Sequence, residues 1–284
     1  MKKNQETSPG LGLVIGLSIG HGVKHFGQGA LTVIGPMLKV SLGLSDIAYG
    51  AIFSSLNVAS GLSNIPAGIL SDMYRRKIAW MLGISMFTIA LGYFILGLSQ
   101  VYAFIILSVI LIGFGTSFWH APAFGTLAAR YPKRKGFALS MHLTGAQIGN
   151  TLGPPIIGGL ISGITIGSII KFSGFGWEKV SLLLILPMLI TGLLVIVLFK
   201  SAGSESNTNW SFEVYKTRTK GLIRDKIILG LILLGAVRAS IHTSFQLFLA
   251  VYLKEELDYS AFVIGWHIAL ITAAGIISTP IMGI

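Results

Sequence analysis

The sequence predicts an all-α, polytopic membrane protein, and three observations carry that prediction. Of 284 residues, 53% are hydrophobic and only 11% are charged, with a mean hydropathy of +0.79; a soluble domain carries roughly 25% charged residues. The apolar residues gather into long runs, each near the roughly 20 residues needed to cross a bilayer core. The charges fall in short clusters between those runs. A formal net charge of +11 would suggest nucleic acid in a soluble protein, but its placement between apolar runs excludes that partner and points to the lipid bilayer. Cysteine is absent, which removes disulfides and thiolate metal sites. The 36 glycines suit helices that approach closely in a membrane.

Taken in order, the predicted spans are 11–38, 46–71, 78–98, 101–127, 136–164, 179–200, 226–253 and 261–284. They are read as helices because an isolated strand would leave backbone groups unpaired in lipid. Lys2 and Lys3 before the first apolar run imitate a signal peptide, but no small-residue cleavage site follows, so an uncleaved first helix is expected. One side of the spans gathers Lys2, Lys3, Arg75, Arg76, Lys77, Arg130, Lys133, Arg134, Lys135, Lys200, Lys216, Arg218, Lys220, Arg224 and Lys226. The other side has Lys39, Lys171, Lys179 and Lys254. This asymmetry predicts a cytoplasmic N-terminus and a multi-pass protein of the inner (plasma) membrane. Residues 201–225 lack an apolar core and are read as a cytoplasmic linker, with Trp210, Phe212 and Tyr215 available to an interface helix.

A repeat crosses that linker. A shift of 215 residues lays Leu38 and Lys39 on Leu253 and Lys254, Leu42 on Leu257, Ser45 on Ser260, Gly50 on Gly265 and Gly68 on Gly283. The chain therefore divides into a six-helix bundle (1–200), the linker (201–225) and two helices that open a second bundle (226–284), in the manner of parallel repeats in transporters. Ile284 falls on Ile69, so the second bundle is expected to be incomplete and the chain truncated at its C-terminal side.

The loop after span two reads Gly68-Ile-Leu70-Ser71-Asp72-Met-Tyr-Arg75-Arg76-Lys77. It resembles the loop motif of the major facilitator transporters at Gly68, Leu70, Ser71, Asp72, Arg76 and Lys77, with Met73 and Arg75 departing from the pattern. Asp72 stands at a helix end beside three cations, so a charge-assisted contact with a neighbouring helix end can latch one conformation and release another. Arg75 to Lys77 also serve simply as topogenic charges. Span five carries Gly145, Gly149 and Gly153, then Pro154, Pro155, Gly158 and Gly159, similar to the exporters' fifth-helix motif but with one extra residue before the glycine pair. These glycines read equally as ordinary helix packing. With Phe114 to Pro122 in span four, the stretch resembles the fosmidomycin-resistance-type branch of the family. That resemblance implies proton-driven efflux of a phosphonate-like drug, although the fourth-helix arginine of many proton-coupled exporters is replaced by Val109.

All six histidines, His21, His25, His120, His142, His242 and His267, lie inside spans, as do Lys24 and Arg238. Intramembrane ionisable groups are costly and functional by default. Under the 215-residue shift Lys24 and Arg238 are one position apart, so the halves are expected to present both to a shared cavity. No carboxylate lies deep in a span, so an unpaired cation there favours an anionic substrate, with His21, His25, His120, His142, Gln147 and Asn57 as further candidate contacts. A histidine could carry a coupled proton, yet a lone buried histidine is more often a packing residue. No cofactor and no metal site are expected, and the absence of His-Glu-x-x-His or Gly-x-Ser-Gly motifs argues against an intramembrane enzyme. A non-transporting scaffold on the same fold, and uptake in place of efflux, stay open.

Overall fold

The computed structural model describes residues 10–166, 170–203 and 212–281. The side chains of Ile166, Ile170, Phe212, Arg218 and Ile223 are not described, and Lys2, Lys3, Trp210 and the Gly68–Gly283 match lie outside the described residues. The helices are α1 (Gly12–Ser41), α2 (Asp46–Met73), α3 (Ile78–Leu98), α4 (Tyr102–Phe118), α5 (His120–Arg130), α6 (Lys135–Ser162), α7 (Gly176–Leu183), α8 (Ile185–Leu198), α9 (Phe212–Arg224), α10 (Lys226–Glu255) and α11 (Ala261–Ile281).

Two predicted spans are each made of two helices. α4 and α5 join at Trp119, and Pro122 lies three residues on, so the carbonyl of Phe118 loses its helical donor. α7 and α8 join at Leu184, three residues before Pro187, for the same reason. Among the described residues, five continuous stretches are long and apolar enough to cross a membrane: Arg75–Leu98, Tyr102–Arg130, Gly176–Leu198, Lys226–Glu255 and Ala261–Ile281. The sequence reading expects eight. The other three, α1, α2 and α6, are long enough at 30, 28 and 28 residues, but glycine and polar side chains interrupt their apolar runs.

Three further differences from the expected layout are local. Between α6 and α7 the chain forms a two-stranded antiparallel hairpin, β1 (Ile164–Ile166) with β2 (Ile170–Phe172), where a plain loop is expected. Gly163 enters it at φ +83°, where an added Cβ would also strike the backbone of Phe172 and Ser173. Lys179 lies within α7 and not in a loop. Within the linker, α9 is a regular helix, and Asp225 then caps α10 by accepting from the amides of Ile227 at 2.8 Å and Ile228 at 3.3 Å.

α6 is the axis of the molecule. On one face Gly145, Gly149 and Gly153 lie against the carbonyls of Ser18, Gly22 and Phe26 on α1, so four-residue steps on one helix meet four-residue steps on the other. A Cβ at these glycines would collide with backbone, which cannot retreat like a side-chain tip. On another face α6 runs antiparallel to α11, pairing Gly158 with Ala261, Pro154 with Gly265, Thr151 with Thr272 and Gln147 with Gly275. Pro154 leaves the Asn150 carbonyl without its helical donor; Thr272 Oγ1 of α11 approaches that carbonyl at 3.5 Å and bonds Thr151 Oγ1 at 3.1 Å.

Away from the basic end, the two halves meet through ion pairs and aromatic rings. Lys39 at the end of α1 bonds Glu255 of α10 and pairs with Asp46 at 3.1 Å. Tyr49 is buried, with its ring 6.1 Å from Phe248. Ser45 accepts from the Ala48 amide at the start of α2, and Ser260 from the Val263 amide at the start of α11. On the outside of the bundle, exposed Trp80, Phe94, Leu186, Leu193 and Val197 form an apolar surface suited to lipid.

Replacing Gly149 by Ala forces two backbones apart and is expected to destabilise by about 1–3 kcal/mol. Gly50→Ala, which meets open space, is expected to be neutral or to gain up to about 1 kcal/mol. Thermal melting of the two variants in detergent compares them, and equal melting temperatures would contradict the close approach. Because the chain has no cysteine, Lys39→Cys with Glu255→Cys gives a clean pair. An oxidant is expected to join them within one chain, and no cross-link would show that these ends stand apart.

Candidate functional site

Lys24 lies twelve residues into α1, about 18 Å along it at about 1.5 Å per residue. It is fully buried. Its Nζ donates to the Thr116 carbonyl at 3.2 Å and faces His120 Nε2 at 2.8 Å. Among the described residues it has no carboxylate partner. The break at Trp119 is what places Thr116 and His120 together here, one on each side of the α4–α5 junction.

Four imidazoles converge on the same region. His21 and His25, one turn apart on α1, have ring centroids 4.6 Å apart. His142 of α6 stacks on His21 at 4.0 Å with a 7° interplanar angle. His120 stands edge-on to His21 at 5.4 Å. The stack follows from the glycine stripe, because His142 lies one turn from Gly145 and the close backbones bring the two rings face to face. His21 Nδ1 donates to the His142 carbonyl at 2.9 Å, His25 Nδ1 lies 3.2 Å from Asn150 Oδ1, and the two Nε2 atoms lie 3.1 Å apart. Phe124 closes one side, 5.3 Å from His142.

Among the described residues, Thr116 Oγ1, Trp119 Nε1 and Gln28 Oε1 are buried in this region without a hydrogen-bond partner, whereas buried polar atoms are nearly always satisfied. Asn150, Thr116 and Phe124 are site residues that sequence reasoning missed. Asn150 had a signal, since it lies four residues before Pro154 on the glycine-bearing helix. Thr116 and Phe124 had none, because Thr116 meets Lys24 through its backbone carbonyl and Phe124 resembles any apolar residue.

The remaining candidates are elsewhere. Arg238 is exposed, on a stretch of α10 from 229 to 242 that is exposed throughout. The expected meeting of Lys24 and Arg238 is therefore absent among the described contacts, since sequence register fixes depth along a helix but not the face presented. His242 is exposed, and exposed His267 turns its Nδ1 to its own helix at Val263 O, 2.8 Å away. Asn57 is exposed on α2, and half-buried Gln147 lies against Gly275 of α11.

At the basic end, Asp72 pairs with Arg75 at 3.3 Å within its own motif, whereas the sequence suggests a neighbouring helix end. The three-residue separation puts the guanidinium within reach of the carboxylate before any other helix arrives. The neighbouring contact is made by Arg130 of α5, which donates to the carbonyls of Ser201, Ala202 and Gly203 at 2.9–3.1 Å. Asp72, Arg75 and Arg130 line one small cavity with Ser71, Gly125 and Thr126. Gly68 is open except toward the Tyr215 hydroxyl of α9, and Arg76 and Lys77 continue the motif as a short 3₁₀ turn with Arg75. Arg130→Ala removes the donors that tie residues 201–203 to α5, so limited trypsin digestion in detergent is expected to cut at Lys200 several-fold faster than in the parent. An unchanged rate would show that this tie does not order the linker.

Comparison with known proteins agrees with this architecture. The Major Facilitator Superfamily model matches residues 17–284. The chain is 26% identical over 161 residues to the Fosmidomycin resistance protein of Escherichia coli (strain K12), covering 57% of this chain and 39% of that protein. It is 28% identical over 177 residues to the Hexuronate transporter of Bacillus subtilis (strain 168), covering 62% of this chain and 38% of that one. The chain thus spans about two-fifths of the length of these curated relatives. The crystal structure of a bacterial homolog to the human lysosomal transporter Spinster superposes with a TM-score of 0.70 at 16% identity, over 92% of this chain and 59% of that one. A match across nearly all of the sequence, on helices that form this fold, shows that the chain belongs to the Major Facilitator Superfamily of integral membrane transporters.

Proposed function

We propose that the protein is a secondary active transporter that works by alternating access and exports a small organic anion, of phosphonate or similar chemistry, in exchange for protons. Lys24 carries this reading. It is a cation buried among neutral partners, the Thr116 carbonyl and His120, and an unpaired buried charge is costly until a counter-charge arrives. A phosphonate or carboxylate entering beside it supplies that charge, and Trp119 Nε1 offers a further donor. Fosmidomycin is a phosphonate and hexuronates are sugar carboxylates, so the names of both relatives point to anions. The second relative also supports an alternative, uptake of a carboxylate on the same site.

In this reading the basic loops face the cytoplasm of an inner (plasma) membrane, and the Lys39–Glu255–Asp46 cluster with the Tyr49–Phe248 contact forms the closure on the far side. Gly68, Asp72, Arg75, Arg76 and Lys77 then serve the opposite gate. The histidines are the available proton carriers, histidine being the side chain that changes charge near neutral pH.

The test is transport in proteoliposomes with fosmidomycin and glucuronate as probes. Lys24→Ala is expected to reduce anion transport on the order of a hundredfold, as loss of a buried charged contact does, while Lys24→Arg retains part of it. Robust transport of cations or neutral drugs with no response to either anion would overturn the reading. Movement of nothing, with or without a proton gradient, would favour a scaffold.

A further inference from the structure

We propose that His21, His25 and His120 form a three-imidazole site for a late first-row divalent cation such as Zn²⁺, Co²⁺ or Ni²⁺. The proposal is independent of the transported substrate and departs from the sequence, which predicts no metal.

Hydrogen-bond polarity carries it. His21 Nδ1 faces a backbone carbonyl and His25 Nδ1 faces the Asn150 side-chain oxygen. Both oxygens only accept, so each Nδ1 carries the hydrogen and donates. Each neutral ring is then left with its lone pair on Nε2, and those two nitrogens face one another at 3.1 Å. Two lone pairs at that distance repel unless a positive centre bridges them. Metal–nitrogen bonds of about 2.0–2.1 Å at a tetrahedral angle separate neighbouring ligand nitrogens by about 3.3 Å, close to the separation found. His120 completes a group in which one ring nitrogen from each histidine lies within 4.8 Å of the others. A metal-bound histidine typically donates its other N–H to a carbonyl or amide oxygen, which is what His21 and His25 do. Imidazole without carboxylate or thiolate suits Zn²⁺, Ni²⁺ or Cu²⁺ over Mg²⁺ or Ca²⁺.

His21 and His25 come from α1 and His120 from the start of α5, so the ion would fasten helices within one bundle and leave the contacts between halves free. Lys24 is its competitor, because its Nζ faces His120 Nε2 and its charge opposes a divalent cation. Metal and anion therefore respond in opposite directions to removal of Lys24.

The experiment is a Co²⁺ titration of the purified protein, without a polyhistidine tag, followed by the visible bands of four-coordinate cobalt. One ion per chain is expected. His25→Ala and His120→Ala should weaken binding at least a hundredfold, with His25→Gln as the second variant if His25→Ala does not fold. Asn150→Leu, which removes the oxygen orienting His25, should cost about 10–100-fold. Lys24→Met should tighten binding at least tenfold, and His242→Ala and His267→Ala should change nothing. Absence of stoichiometric cobalt, an unchanged band in His25→Ala, or weaker binding in Lys24→Met would overturn the site. The first result is expected if a proton alone lies between the rings or if Asn150 presents its amide N–H instead. Because binding is read without transport, loss of the metal site leaves the anion proposal standing. Conversely, unaltered anion transport in Lys24→Ala leaves the metal site standing.

Discussion

The approach of α1 and α6, backbone against backbone, is the constraint on which the other features rest. Three glycines at four-residue spacing let the carbonyls of Ser18, Gly22 and Phe26 come where a Cβ would otherwise stand. In a membrane, helix association gains little from the hydrophobic effect and depends on close packing and interhelical hydrogen bonds. Here the packing also sets the chemistry. With the helices this close, His142 lies flat on His21 and the His142 carbonyl receives a hydrogen bond from that ring. A wider separation would part His21 from His142 and His25 from Asn150.

The prolines act on the same region by a different route. Each removes one helical donor and so frees one carbonyl, and the fold uses the resulting irregularities as joints. The break near Pro122 presents Thr116 O and His120 to Lys24 from the two sides of Trp119. Pro154 leaves the Asn150 carbonyl to Thr272 of α11 while the Asn150 side chain reaches His25. One residue on α6 thus touches both the polar cluster of the first half and a helix of the second. α6 is therefore the helix through which the polar cluster and α11 are in contact.

Contacts between the halves are of unequal kinds. The α6–α11 contact is small-residue packing with a threonine pair, whereas the α1–α10 contact at the end bearing Lys39 is ionic and aromatic. The Lys39 side chain is buried while both of its carboxylate partners keep some exposure, so this contact rests on charge at the rim of the bundle, and the α6–α11 contact rests on close packing.

Composition alone determined that the chain lives in a membrane, because no arrangement of so few charges could cover a soluble surface. The long apolar runs fixed most helices to within a few residues. The 215-residue register lays Ser45 on Ser260, and each of these serines accepts from the amide three residues on. Glycine and proline spacing pointed to α6 as a packing helix. What the sequence could not decide is which intramembrane polar groups meet. Lys24 and Arg238 are nearly equivalent in register, yet one is enclosed by imidazoles and the other is exposed. Likewise six histidines in apolar runs look alike, and four of them form one cluster because of rotations about helix axes and the helix break at Trp119. Periodicity reports the face and depth of a residue on its own helix, but the partner across the interface is chosen by packing between helices distant in sequence, and only the tertiary structure contains that choice.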